Sequence, residues 1–237
     1  TPGWFQFNES AVPHANDIIA DNDGFWGGGP APSLGMVAGA LCMDGINDFV
    51  RVPDAPSIDL GVGDLTIDAW VRTTSTNGVQ ILVDKRENNP RIRGYSFYLA
   101  NGQLGFQLAD AAGPSGACAC SGLASCTNWG AGAPGFVADG NWHMVAVTVV
   151  RGSATGGTFW VDGSPVAAFN PTCRGGNVDN SSGMTIGRRS FSADGWFQGC
   201  IDELEIFKRS LTAAEILSIF NAGPAGKCKD TVAANWD

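Results

Sequence analysis

The sequence predicts an all-β protein built as a two-sheet sandwich, with one short helix close to its C-terminus. Three observations carry this. Apolar and polar residues alternate with a period of two, as in 65–72, where Leu65, Ile67, Ala69 and Val71 point one way and Thr66, Asp68, Trp70 and Arg72 the other. Tight-turn residues recur roughly every ten positions, which spaces about twelve short strands along the chain. Helical spacing is confined to one stretch near the end.

Taken in order, residues 1–35 are irregular apart from an edge strand at 4–7, with an Asx-rich turn at Asp21-Asn22-Asp23-Gly24. Strands at 36–43 and 49–52 flank the turn Asp44-Gly45-Ile46-Asn47. After 65–72 come 79–84, then 95–100 and 103–108 around Asn101-Gly102, a hairpin signal. Residues 109–139 form a Gly/Ala/Cys-rich segment without periodicity, a length that points to function or disulfide stapling. A nearly continuous apolar strand at 142–150 follows, then 158–161 and 165–169 around Asp162-Gly163, then 184–187 and a closing strand at 201–207. Thr212 and Glu215 fit a capping box, Leu211, Ile216, Leu217 and Phe220 share a face, and Gly223-Pro224 stops the helix. The reading is one domain over 1–228, with 229–237 as tail or linker.

The chain has 237 residues, 44% hydrophobic and 16% charged, enough to bury a full core, and its 33 Gly and 12 Pro suit many turns. No apolar run of about 18 residues is present to insert into a membrane. A net charge of −9, without Lys/Arg clusters, argues against nucleic acid. Thr1 is not an initiator and no signal peptide is visible, so the sequence reads as a mature or excised segment. Seven cysteines stand at 42, 118, 120, 126, 173, 200 and 228. The loop carrying Cys118, Cys120 and Cys126 is poor at burying thiols, so disulfides among Cys42, Cys118, Cys120, Cys126, Cys173 and Cys200 are expected, and with them an oxidising compartment. Connectivity stays open, and Cys228 is the candidate for a free or intermolecular thiol. Zinc is disfavoured, since the Cys-x-Cys spacing has no matching pair and only two histidines exist. Asn8 and Asn180 sit in glycosylation sequons.

Several segments, in order, resemble one family. They are Ala40–Val50 with its Asp44-Gly45 hairpin, LTIDAWV at 65–71, NWHMVAVT at 141–148, FWVDG at 159–163, IGR at 186–188, GCIDELEIF at 199–207 and the helical ending 211–223, with Ala15-Asn16-Asp17 near the start. Together they look like a laminin G-like domain of the concanavalin A-like lectin/glucanase group, in its bacterial extracellular form. The resemblance implies a double-sheet jelly roll, secreted or at the cell surface, that binds carbohydrate or protein, often with one calcium ion, and is not an enzyme. The insertion at 118–126 and the cysteines at 42 and 200 depart from the family pattern.

Calcium takes six to eight oxygens, commonly from Asp, Asn and carbonyls in turns. With the resemblance, this makes Asp17, Asp44 and Asp202, and then Asn22, the expected ligands of a structural ion. Asp202 is read as sharing the apolar face of Leu204 and Ile206. The alternative is ordinary Asx turns, with Asp202 paired to Arg188 or Arg189. Glu203 and Glu205 alternate like a glycosidase strand, but the first glutamate of that pattern would fall at Cys200 or Ile201. They are read as surface carboxylates on an edge strand, and no hydrolytic activity is expected. Trp26, Trp129 and Trp196 lie outside clear strands and are the candidates to stack on sugar rings, with core packing as the alternative. The function expected is a secreted, non-catalytic binding or adhesion module for a glycan or extracellular protein. The rival is a self-assembling structural subunit.

Overall fold

The computed structural model describes residues 3–9, 14–112, 119 and 125–227. Among them the first eight strands are β1 (Gly3–Phe5), β2 (His14–Ala15), β3 (Gly24–Gly27), β4 (Ala31–Leu34), β5 (Gly39–Asp44), β6 (Phe49–Val52), β7 (Leu65–Arg72) and β8 (Val79–Asn88). Then come β9 (Ile92–Ala100), β10 (Gln103–Asp110), β11 (Cys126–Gly130), β12 (Trp142–Val149), β13 (Gly157–Val161), β14 (Ser164–Phe169), β15 (Met184–Ile186) and β16 (Gln198–Phe207), followed by helix α1 (Ala213–Ala222). The first sheet runs β14-β13-β12-β7-β16-β5-β4, with β1 also on β16; the second runs β11-β10-β9-β8-β15-β6-β3-β2. The sandwich and its terminal helix are as the sequence predicts. The strands not anticipated, β2, β3, β4 and β11, lie at or near sheet edges, where backbone pairing alone defines a strand and leaves no apolar period to read.

The core lies between the sheets. Leu65, Ile67, Ala69 and Val71 of β7 meet Val145, Val147 and Val149 of β12, and opposite them stand Phe97, Leu99, Phe106 and Leu108 of the second sheet. A second apolar cluster covers the other side of the first sheet: Trp70, Met144, Ala146, Trp160 and Phe207 lie under Ile216 and Ile219 of α1. Both faces of β7 are therefore buried. The docking face of α1 is Ile216, Ile219 and Phe220, the last stacked on Trp70 at 5.8 Å, while Leu217, expected there, is 46% exposed. The predicted capping box is present: Thr212 accepts from the Glu215 backbone N–H at 3.3 Å and Glu215 accepts from the Thr212 N–H at 2.6 Å. Such a cap contributes about 1 kcal/mol.

β16 is central, with β7 on one side and β5 and β1 end to end on the other. It does not close an edge, contrary to expectation. Its register slips between Asp202, opposite Trp70, and Glu205, opposite Asp68, and Glu203 there has φ 51°. This bulge reverses the alternation. Ile201, Leu204 and Ile206 face the core, whereas Asp202 lies opposite Trp70 on the outer side, away from the apolar face it was expected to share. Glu203 and Glu205 are 1% and 0% exposed on this central strand, so they are not surface carboxylates.

Candidate functional site

The predicted calcium ligands do not converge. Asp17 Oδ1 accepts from the N–H groups of Trp4, Ile19 and Ala20 at 2.9, 3.1 and 3.3 Å, and its Oδ2 accepts from the Asn22 amide at 2.7 Å. Asn22 in turn accepts from Ser57 at 2.6 Å. Asp44 Oδ1 accepts from Ile46 and Asn47 at 2.8 and 3.2 Å, an Asx turn. Asp202 Oδ2 accepts from Val37 N–H at 2.7 Å and pairs with neither Arg188 nor Arg189. Asp44 lies opposite Gln198, and Asp17 bridges to Phe5, which is opposite Leu204. That length of β16 separates them by roughly 20 Å. Among the described residues no group of three or more His, Cys, Asp or Glu is placed to hold a metal ion, so these residues do not fit a shared calcium site. An oxygen cage does form around the chain's own Lys85. Its buried Nζ lies 2.8 Å from both Asp54 and Asp59 and donates to the carbonyls of Asn180 and Ser182 at 3.0 and 3.2 Å.

The tryptophans divide. Trp26 and Trp129 pack against the core, Trp129 between Phe106 and Phe169 at 6.4 and 4.8 Å, because β3 and β11 turn them inward. Core packing takes these two. Trp196 stands at the surface beside Phe49, 6.0 Å away. Asn180 is buried and donates to the carbonyls of Lys85 and Arg93, which leaves no room for a glycan, whereas Asn8 is exposed. Cys42 and Cys200 form a disulfide across β5 and β16, and Cys126 and Cys173 are disulfide-bonded as well. Cys118, Cys120 and Cys228 lie outside the described residues.

One end of the sandwich collects what these elements leave exposed. Here β5 turns into β6, β7 ends at Arg72, β12 begins at Trp142 and the segment after β15 leads through Trp196 into β16. Asp48 ties the turns together, accepting from Gly29 N–H at 2.6 Å and Asp44 N–H at 3.0 Å. Gly28 has φ +79°, and a Cβ there would stand 2.4 Å from the Asn47 carbonyl, so only glycine lets this floor close. Two open depressions result, both walled by Cys42 and Met43. One, of about 490 Å³, is lined by Gly28, Gly29, Asp44, Asn47 and Asp48. The other, of about 320 Å³, is lined by Arg72, Thr73, Thr74, Gly140, Gln198 and Cys200.

Each depression has a guanidinium laid on an aromatic ring nearby. Arg72 lies 5.0 Å from the Trp142 ring centroid; Arg188 lies 4.0 Å from Phe49 and 5.4 Å from Trp196. Burial, with Arg51 beside it, lowers the pKa of Arg188, yet an arginine stays charged. The Ile46 N–H, followed by other backbone groups, holds Asp44 below the usual carboxylate range, so it is ionised. Asp139 is held at about 2 by Asn141 and then His143. Planar aromatics, a carboxylate, an amide and a guanidinium around a shallow depression can stack a sugar ring and hydrogen-bond its hydroxyls. Of this end, Trp196, Asp44, Cys42 and Cys200 were singled out from sequence, and Arg188 only as a partner for Asp202; Arg72 gave no signal, because an arginine at a strand end looks like any solvated charge.

The carboxylates of the rejected catalytic reading lie elsewhere, on the outer face of the first sheet. Asp68, Glu203 and Glu205 are at most 1% exposed and share Lys227, whose Nζ is 2.6 Å from Glu205 and 3.7 Å from Asp68. Trp4 Nε1 donates to Glu203 at 2.7 Å. Burial raises Asp202 and Glu203 to about 7 and pushes Asp68 and Glu205 upward too, Lys227 opposing it.

A model of the concanavalin A-like lectin/glucanases superfamily, of laminin G type, matches residues 44–217, and the chain belongs to that family. A search of curated proteins by sequence gives no match. Among solved structures it is similar to the binding domain of Paraclostridial Mosquitocidal Protein 1, at TM-score 0.73 and 15% identity over 93% of this chain and 51% of that one. The binding domain of Botulinum neurotoxin DC, in complex with rat synaptotagmin II, gives 0.64 and 15% over 93% and 51%. The chain thus spans about half the length of these toxin domains. Domain 4 of AbnA, a GH43 extracellular arabinanase from Geobacillus stearothermophilus in complex with arabinotriose, gives 0.60 and 15% over 92% of this chain and 96% of that one. Among the described residues no helix is long and apolar enough to cross a membrane.

Proposed function

We propose that this chain is a non-catalytic, extracellular carbohydrate-binding module whose site is the end of the sandwich formed by the β5–β6 turn, Arg72, Trp142 and Trp196. The observation that carries the reading is the pair of open depressions that share the Cys42 and Met43 wall, one of them lined by Arg72, which lies over Trp142, with Arg188 over Phe49 and Trp196 at the same end. That arinotriose-bound domain 4 of the arabinanase shares the fold over nearly its whole length supports a sugar as ligand class. The disulfides support an oxidising, extracellular setting. In this reading binding needs no calcium at Asp17, Asp44 or Asp202, each of which gives one carboxylate oxygen to backbone N–H groups.

The test is a glycan-array screen of the folded protein in buffer with calcium and with chelator. A defined glycan bound equally in both, and lost on Trp196→Ala, is the expected result. Binding abolished by chelator would restore a calcium-dependent mechanism. Silence on the array, with concentration-dependent self-association, would favour the structural-subunit reading.

A further inference from the structure

The protein carries 23 acidic against 14 basic residues, so a carboxylate partner is available to nearly any arginine that can reach one. Most buried basic side chains have taken one: Lys85 holds Asp54 and Asp59, Arg86 holds Asp84 and Arg174 holds Asp110. Arg72 is different. Among the described residues it makes no ion pair; its guanidinium rests on Trp142 and reaches only toward Cys200 Sγ, at 3.7 Å. Stacking orders the planar fork in advance, which lowers the cost of engaging a ligand.

The surroundings of Arg72 are built to receive a second group. Thr73 and Thr74 follow it in sequence, Gln198 stands on β16 two residues before Cys200, the partner of Arg72, and the disulfide forms a wall. Thr73 spends its hydroxyl on the Gln198 carbonyl at 2.6 Å, leaving the exposed hydroxyl of Thr74 and the exposed amide of Gln198 to the depression. A fixed guanidinium, a hydroxyl and an amide form a donor set matched to an anionic oxygen pair. In a chain of net charge −9 the long-range field repels anions, so only a short-range contact of this kind can select one.

We infer that the Arg72 depression is an acidic-sugar subsite, taking the carboxylate or sulfate of a saccharide between Arg72, Thr74 and Gln198. This rests on the carbohydrate-binding reading above and goes beyond it by stating the charge of the ligand.

The experiment is calorimetric titration of the whole chain, wild type and Arg72→Gln, with three probes: trigalacturonate, a sulfated galactose trisaccharide and neutral galactotriose. The expected result is that at least one acidic probe binds the wild type about tenfold or more tighter than the neutral one, the size of a charged hydrogen bond. Which acidic probe binds identifies the anion. Arg72→Gln is expected to remove that preference, weakening acidic binding about tenfold more than neutral binding, and Arg72→Lys to keep part of it, since the charge stays but the fork is lost. If Arg72→Gln melts early, Arg72→Lys decides alone: a preference at wild-type strength overturns the inference. Equal binding of acidic and neutral probes, or a preference that survives Arg72→Gln, also overturns it while leaving the carbohydrate reading standing. Failure of every saccharide, these and the array together, takes down both.

Discussion

On the outer face of the first sheet, Asp68, Glu203 and Glu205 share the ammonium of Lys227; at the hairpin end Arg72 and Arg188 form no ion pair among the described residues and lie over aromatic rings. Both regions hold unmatched charge. The first is sealed by β1, α1 and the residues after it, and it answers by protonation, burial having lifted Asp202 and Glu203 to about 7. The second is open, and its arginines keep their charge by lying on aromatic rings. Unmatched charge under a lid is a problem for stability, whereas unmatched charge at a rim is available to a ligand. The comparison explains why the chain's most concentrated group of carboxylates is not where we place its chemistry.

The largest effect should come from the disulfide that stands between the two depressions. Cys42→Ala with Cys200→Ala opens a loop closed over a sequence separation of 158, at a cost of about 3–5 kcal/mol in denaturant unfolding. Saccharide binding should weaken with it, because both depressions lose their common wall. Next comes the lid. Ile216→Ala removes a fully buried anchor of α1 and should cost about 2–4 kcal/mol.

Lys227→Met leaves Glu205 and Asp68 without a cation, and should cost about 1–3 kcal/mol at roughly pH 8 and distinctly less at about pH 5, where the carboxylates carry protons. The sign for the cluster itself follows from its raised pKa values. Their contribution is fully present below the ordinary carboxylate range near pH 4 and is lost as pH rises through about 7. Glu203→Gln, which keeps an acceptor for Trp4 Nε1, should therefore flatten the decline in Tm between about pH 5 and pH 8, by the equivalent of about 1–2 kcal/mol. A decline unchanged in this variant would mean that Glu203 is ionised in the folded protein. The smallest effect on stability is expected at the rim: Arg72→Gln should stay within about 0.5 kcal/mol of wild type.

The long strands were legible in the sequence for local reasons: β7 from the alternation of Leu65, Ile67, Ala69 and Val71, β9 and β10 from the Asn101-Gly102 turn between them, and β12 from its nearly continuous apolar run. The capping box at Thr212 was legible because its chemistry is local. What sequence did not reveal depended on register. One bulge at Glu203 turns Asp202 out of the core and gathers carboxylates on the opposite side, and period-two reading is blind to an inserted residue. The expected calcium residues are not gathered in one place, for the same reason that each was noticed: Asp17 and Asp44 are turn residues with an oxygen that caps their own backbone. The binding end was half legible. Trp196 and Asp44 attracted attention by type, but the stacking of Arg72 on Trp142 joins residues on different strands, far apart in sequence.

The central claim is that the hairpin end binds saccharide, and backbone amide NMR of the labelled chain, titrated with the best array hit, tests it most directly. The account predicts shifts concentrated at Asn47, Thr73, Thr74, Gly140, Trp196 and Gln198, with little change around Glu203 and Glu205. Shifts centred instead on Glu203, Glu205 and Lys227, on the outer face of the second sheet, or at the opposite end near Val62 and Thr155, would contradict it.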